Sequence, residues 1–228
     1  MTCKLVIFDC DGVLVDSEVI SLSVLRDYIA GLGVHISDDE CRNLFLGVSL
    51  ETTCRVLTDD YGLTLDGDQL AGMRKMLYDR FKQELKAIPD VDQVIPTLEM
   101  PFCVASSSQV ERIRLALMAT GLLPLFDGNI FSATMVKNGK PAPDLFLHAA
   151  GEMNTAPGDC IVIEDSPAGI TAAKRAGMKV FAFTGASHAG QEDHAASIKH
   201  LEPDVTFDKM HQLPALITEF SLGGGANE

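Results

Sequence analysis

From Pro89 onward the chain repeats one rhythm: a short apolar run, a helical stretch of about ten residues, then another apolar run. The runs are "PFCVASSS", "DGNIFSA", "CIVIEDS", "KVFAF" and "DVTFD", with helical patterns over 110–121, 144–153, 167–177 and at the C-terminal end. Strands alternating with helices imply βαβ units, hence a parallel sheet with right-handed crossovers. One more run of the same kind, Leu5 to Phe8, opens the chain; it is continuous rather than alternating, which suits a strand covered on both faces. Between that strand and Pro89 the pattern is helical only. Leu22, Leu25, Ile29 and Leu32 recur at three- and four-residue steps before Gly33, with Asp16 or Ser17 as cap. Leu50, Cys54, Leu57 and Tyr61 form a second helical face stopped by Gly62, and Leu70, Met73, Leu77, Phe81 and Leu85 a third. The predicted fold is an α/β, Rossmann-like parallel-sheet core made of residues 1–16 and 87–220. It is interrupted after its first strand by an inserted α-helical domain at 17–86, and 221–228 is expected to be a frayed, Gly-rich tail. Asp16-Ser17 and Ile88-Pro89 are the expected hinges.

Composition narrows what such a fold can act on. The chain has 228 residues, enough for a sizeable core, and 46% of them are hydrophobic, which argues against disorder. Eighteen Lys and Arg stand against 32 Asp and Glu, a net charge of −14. That charge repels nucleic acid and anionic membrane surfaces, so no nucleic-acid and no membrane partner is expected; an anionic substrate needs a local positive centre. Six cysteines lie far apart with no C-x-x-C and read as reduced core thiols. With no secretory leader and no apolar stretch of the roughly 18 residues that a membrane span needs, a cytoplasmic protein is expected. Nothing in the sequence points to a protein partner.

The first strand ends in "FDCDG", placing Asp9 and Asp11 one residue apart before Gly12. Two carboxylates at the mouth of a buried strand repel, and the pair is costly unless a cation or a shared proton relieves it. Ligands of open α/β sheets bind beyond the carboxyl ends of the strands. There the second strand delivers Ser106, Ser107 and Ser108, "CIVIEDSPAG" delivers Glu164 and Asp165, and the "NGKPAPD" loop adds Lys140. Carboxylates, a hydroxyl and an ammonium at one sheet edge suit a hard, oxygen-binding cation and a phosphoryl group. Singly each has a plainer reading: an Asx-turn for Asp9 and Asp11, a helix N-cap region for the serines, a solvated lysine, a cap-plus-Pro helix start for Ser166-Pro167. Four such elements in this order are poorly explained that way. An EF-hand is excluded, because Gly12 follows Asp11 directly with no third ligand before it.

These motifs together resemble the haloacid dehalogenase superfamily: "FDCDGVLVDSE" its first motif, "VASSS" its second, Lys140 in "GKPAPD" its third and "IEDSPAG" its fourth. The resemblance covers about residues 4–185. The helical insertion is similar to the small cap of the subclass that holds sugar-phosphate phosphatases and β-phosphoglucomutase. The resemblance implies Mg²⁺ as cofactor, held by Asp9, Asp165 and the backbone carbonyl of Asp11, with Glu164 as a further ligand ranked below Asp165. It implies Asp9 as nucleophile forming an aspartyl-phosphate, and Asp11 as the acid that protonates the leaving alkoxide and the base that then activates water. Ser106, Ser107 and Lys140 are the implied holders of the phosphoryl oxygens. Cys10, facing away from its neighbours, reads as packing.

The expected activity is hydrolysis of the phosphomonoester of a small metabolite. The wording of residues 9–20 is close to bacterial 6-phosphogluconate phosphatases, which puts sugar and sugar-acid phosphates first. A phosphosugar mutase is the enzyme alternative, although Leu46, Leu50 and Ser21 stand where the mutases carry basic residues and a histidine. A phosphoacceptor receiver domain is the alternative from another class, but receivers are about half this length and lack a helical insertion. A dehalogenase has no need of Asp11. Arg26, Arg42, Arg55 and Arg74 are the candidate substrate-binding cations of the cap.

Overall fold

The computed structural model describes residues 2–187 and 192–223. In chain order the elements are β1 (Leu5–Phe8), α1 (Glu18–Gly31), α2 (Asp38–Phe45), α3 (Leu50–Tyr61), α4 (Gly67–Glu84), α5 (Val91–Val94), β2 (Phe102–Ser106), α6 (Val110–Ala119), α7 (Leu123–Phe126), β3 (Ile130–Ser132), α8 (Asp144–Glu152), β4 (Cys160–Glu164), α9 (Pro167–Arg175), β5 (Lys179–Phe183), α10 (Glu192–His200), β6 (Val205–Phe207) and α11 (Leu213–Gly223).

The six strands form one parallel sheet in the order β3-β2-β1-β4-β5-β6. The order reverses at β1, with β2 on one side and β4 on the other. This makes the carboxyl ends of β1 and β4 the topological switch point, where such sheets bind ligands. Every residue of β1 and β4 is buried, as their uninterrupted apolar runs require of strands covered on both faces. One face packs Leu5, Ile7, Cys103, Val162 and Val180 against Leu145, Phe146 and Ala149 of α8 and Ile170 and Ala173 of α9.

The chain divides into two compact units, Met1–Asp16 with Lys86–Glu228, and Ser17–Leu85. The second unit has its own core of Leu25, Ile29, Cys41, Phe45, Leu57 and Leu65. Its helices carry local stop and start signals. Ser49 accepts from the Thr52 amide at the start of α3, Gly62 ends α3 in the left-handed conformation, and Asp66 and Gln69 form a reciprocal capping box on α4. Arg26 pairs with Asp27 and Asp38, so the cap cation expected there is already engaged, whereas Arg42, Arg55 and Arg74 are exposed.

The structure corrects the sequence expectations in four places. The helices α2 and α10 and the short helices α5 and α7 are additional to those predicted. Ser17 stands at the start of α1 without a side-chain cap bond. The second crossing between the units falls at Leu85-Lys86 rather than Ile88-Pro89. Residues 86 and 87 are tied into the sheet unit by the Asp16 amide donating to the Lys86 carbonyl at 3.0 Å and by a bridge between Val15 and Ala87. Finally, Ser221–223 of the expected tail continue α11, and residues 224–228 lie outside the described residues.

Candidate active site

β1 ends at Phe8, and the Asp9 amide still donates to the Ile163 carbonyl of β4 at 3.0 Å, so Asp9 is fixed by the sheet ladder itself. The chain then turns at Gly12, whose φ of 82° is a left-handed value open chiefly to glycine. Because Phe8 pairs with Ile163 in the register, Asp9 stands level with Glu164 across the switch point. One carboxylate oxygen from each of Asp9, Glu164 and Asp165 lies within 4.8 Å of the others, and all three residues are buried.

Lys140 reaches into this cluster from the loop before α8. Its Nζ donates to Asp9 Oδ1 at 2.6 Å, to Glu164 Oε1 at 2.6 Å and to the Ala105 carbonyl at 3.0 Å, which uses all three ammonium donors. The ammonium also sits 4.8 Å from the centre of the Phe146 ring. Burial disfavours its charge, yet the Asp9 and Glu164 carboxylates outweigh that and hold the Lys140 pKa above its ordinary value. Burial likewise pushes Asp9 well above the usual carboxylate range; Lys140 opposes this, while Glu164 and Asp165 add to it. The other Glu164 oxygen accepts from the amide and hydroxyl of Ser166, both at 2.9 Å. Ser166 in turn caps α9 by accepting from the Gly169 amide at 3.1 Å, with Pro167 in the first turn. A side chain at Gly169 would run into the Glu164 carboxylate.

The cluster fits a divalent metal on donor chemistry and on charge. Carboxylate oxygens are the donors that Mg²⁺ takes, and three carboxylates against one ammonium leave two negative charges to offset. Asp9 and Asp165 are the residues best placed to hold the ion. Both Glu164 oxygens already accept, one from Lys140 and the other from Ser166.

Asp11 goes elsewhere. Its Oδ1 accepts from Arg112 Nη2 at 3.0 Å and its Oδ2 from Ser108 Oγ at 2.8 Å. The carboxylate is outside the acidic cluster. Ser106 is buried at the end of β2 and its hydroxyl accepts from the Ser108 amide at 3.1 Å; Ser107 is exposed. Cys10 is buried between the two aspartates, and burial, then Asp11 and Asp9, push its thiol well up, which keeps it a neutral packing group. Sequence reasoning missed Arg112, the anchoring role of Ser108, and Gly169. Only the first-turn position of Arg112 after the second motif hinted at it.

The profile of the haloacid dehalogenase-like hydrolases matches residues 6–183. The chain belongs to that family and is a hydrolase. It is 32% identical over 213 residues to the 6-phosphogluconate phosphatase of Escherichia coli (strain K12), spanning 92% of this chain and 93% of that one. Among solved structures it is similar to a conserved haloacid dehalogenase-like protein of unknown function from Agrobacterium tumefaciens str. C58, with 34% identity, a TM-score of 0.83 and coverage of 96% and 99% of the two chains. It is also similar to a hydrolase of the family from Deinococcus radiodurans R1 with bound phosphate and sodium, with 28% identity, a TM-score of 0.78 and coverage of 96% and 97%. These relationships support phosphatase activity on small phosphorylated metabolites. Among the described residues no helix is long and apolar enough to cross a membrane.

Proposed function

We propose that this chain is a Mg²⁺-dependent phosphatase that hydrolyses sugar or sugar-acid monophosphates through an aspartyl-phosphate on Asp9. The observation that carries the reading is the buried cluster at the β1/β4 switch point, in which Asp9 shares Lys140 with Glu164 and lies beside Asp165. The likeness to the 6-phosphogluconate phosphatase supports the substrate class.

In the first half-reaction Asp9 attacks phosphorus, an oxygen–phosphorus bond forms on its carboxylate, and the ester bond breaks. Asp11 gives the departing alkoxide its proton. In the second, Asp11 as carboxylate takes a proton from water, the hydroxide attacks phosphorus, and the Asp9–phosphorus bond breaks to return the carboxylate and inorganic phosphate. Lys140, with its donors on protein acceptors, acts as a fixed positive charge beside Asp9. Ser106 and the backbone that follows line the phosphoryl position. A Mg²⁺ ion held by Asp9 and Asp165 would supply charge neutralisation between carboxylate and phosphoryl oxygens.

The test is phosphate release over a broad panel of phosphorylated metabolites, with Mg²⁺ and with EDTA, on the native chain and Asp9→Asn. The amide keeps the shape and loses the attacking charge, so turnover should fall by several powers of ten in a protein that still folds. Sugar and sugar-acid monophosphates should give the highest kcat/KM. A folded Asp9→Asn protein with native kcat would refute the nucleophile, and a clear preference for nucleotides or aryl phosphates would refute the substrate class.

A further inference from the structure

Asp11 is held by groups that its own strand does not supply. Both of its carboxylate oxygens accept from the segment after β2: Oδ2 from the Ser108 hydroxyl, and Oδ1 from Arg112 in the first turn of α6. Ser108 is itself fixed at both ends. Its amide donates to Ser106 Oγ at 3.1 Å, and its carbonyl accepts from the hydroxyl of Ser132 at 2.7 Å. Ser132 is fully buried at the end of β3, where its hydroxyl also accepts from the Thr134 amide at 3.1 Å. Three neighbouring strands therefore fix one carboxylate: β1 carries it, β2 leads into its two donors, and β3 braces the nearer donor. The ion pair is three-quarters or more buried, with side-chain exposures of 25% for Arg112 and 17% for Asp11, so it is little screened by solvent.

We propose that Arg112 is a positioning residue for Asp11, with Ser108 and the buried Ser132 as its brace. This rests on the reading of Asp11 as the acid and base of phosphoryl transfer. A group that must donate to the leaving oxygen and later accept from water has to occupy one place in both half-reactions. A two-pronged hold from a neighbouring strand provides that place. Arg112 contacts Asp11 and needs no contact with substrate.

The inference is tested with two phosphate esters of similar size, 4-nitrophenyl phosphate and phenyl phosphate, on the native chain, Asp11→Asn, Arg112→Ala, Arg112→Lys, Ser108→Ala and the Asp11→Asn/Arg112→Ala double variant. Nitrophenolate leaves without a proton, whereas phenolate leaves poorly without one. Arg112→Ala should lose about 10- to 100-fold in kcat on phenyl phosphate, the range that misplacing a reacting group costs. Its KM and its pre-steady-state burst of nitrophenolate should stay within about threefold of native. Arg112→Lys should restore part of the loss, Ser108→Ala should shift the same way, and the double variant should be no slower than Asp11→Asn alone.

If the pre-steady-state phosphorylation of Asp9 in Asp11→Asn is equally slow with both esters, or native with both, the acid reading fails and takes the inference with it. If Asp11→Asn follows the leaving group but folded Arg112→Ala and Ser108→Ala do not, the acid reading stands and the positioning role is overturned. Full additivity in the double variant overturns it as well. So does a rise in kcat for Arg112→Ala, because the pair would then be parking Asp11 away from its work.

Discussion

Replacing Gly169 with alanine adds one methyl group to the first turns of α9, and two opposing effects decide the outcome. Helix propensity alone favours the change, since alanine in place of glycine inside a helix stabilises by roughly 0.5–1 kcal/mol. Gly169 has an ordinary helical backbone, so no strain opposes the alanine there. The new Cβ, however, would overlap the carboxylate of Glu164, and that carboxylate has nowhere to go. It is fully buried and held by Lys140 at 2.6 Å and by Ser166 at 2.9 Å. Displacing it separates a buried ion pair, which costs about 3–5 kcal/mol. The net expectation is a loss of about 2–4 kcal/mol, a drop in thermal midpoint of roughly 5–15 °C for a chain of this size. Because Lys140 also holds Asp9, kcat should fall with it. Thermal unfolding followed by circular dichroism reads the first effect and phosphate release the second. In a Glu164→Ala background the overlap is gone, so the same Gly169→Ala change should become neutral or stabilising by up to about 1 kcal/mol. A native midpoint and native kcat for Gly169→Ala in the otherwise unchanged chain would refute the claim that Glu164 is immobile. An undiminished penalty in the Glu164→Ala background would show that some other contact is responsible.

EDTA should remove activity and Mg²⁺ restore it, whereas Ca²⁺, larger and looser in its coordination, should bind without supporting fast turnover. Asp165→Ala should weaken Mg²⁺ binding in calorimetric titration more than Glu164→Ala does, because Lys140 and Ser166 already occupy the Glu164 oxygens; the reverse ranking would exchange their roles. The cysteines other than Cys54 are buried, and burial raises the Cys160 thiol to about 12 and the Cys3 and Cys103 thiols above their ordinary value, so they stay protonated until the pH rises far above 8. At pH 8 a thiol reagent should therefore label at most Cys54 quickly in the native chain and all six after unfolding; rapid labelling of several native thiols would contradict this. Leu50 is exposed, and an apolar side chain cannot hold a second phosphate, a contact whose loss costs on the order of 2–5 kcal/mol. A ³¹P NMR time course on β-glucose 1-phosphate with a bisphosphate primer should accordingly show free phosphate and no glucose 6-phosphate; isomerisation outrunning phosphate release would identify a mutase.

The central strands were legible because each carries a continuous apolar run, and burial on both faces is what such a run is for, whereas β6 is short and leaves Thr206 exposed. Helix α3 was legible from end to end, since Cys54, Leu57 and Tyr61 mark its face and Gly62 its stop. Helix α2 escaped for a physical reason. Its eight residues, "DDECRNLF", bury only Cys41 and Phe45, too few to show a period. The usable signal was instead at its start, where Ser37 accepts from the Glu40 amide in an S-x-x-E pattern. Helix α10 is short and polar, with little apolar face to read. At the site, residue types and order foretold which side chains gather at the sheet edge, but not how they pair. Arg112 and Arg114 lie two positions apart and so point to different sides of α6; one meets Asp11 and the other meets Asp127. Nothing in "VERIRLAL" says which arginine faces inward, because that depends on how α6 lies against the sheet.

The pairing also answers the charge problem posed by "FDCDG". Asp9 and Asp11 are neighbours in sequence but pair with different cations. Asp9 is met by Lys140, 131 residues on, and Asp11 by Arg112, 101 residues on. Each cation arrives from a different connection of the sheet, so the repulsion at the end of β1 is relieved only once β2 and the loop before α8 are in place. Burying either carboxylate without its cation would cost several kcal/mol. Lys140 is stretched furthest, since it balances Asp9 and Glu164 together while Asp165 adds a third negative charge beside them. A monovalent ion would leave that cluster with one negative charge and a divalent ion with none. The same shortage of positive charge makes the cluster compatible with a divalent metal.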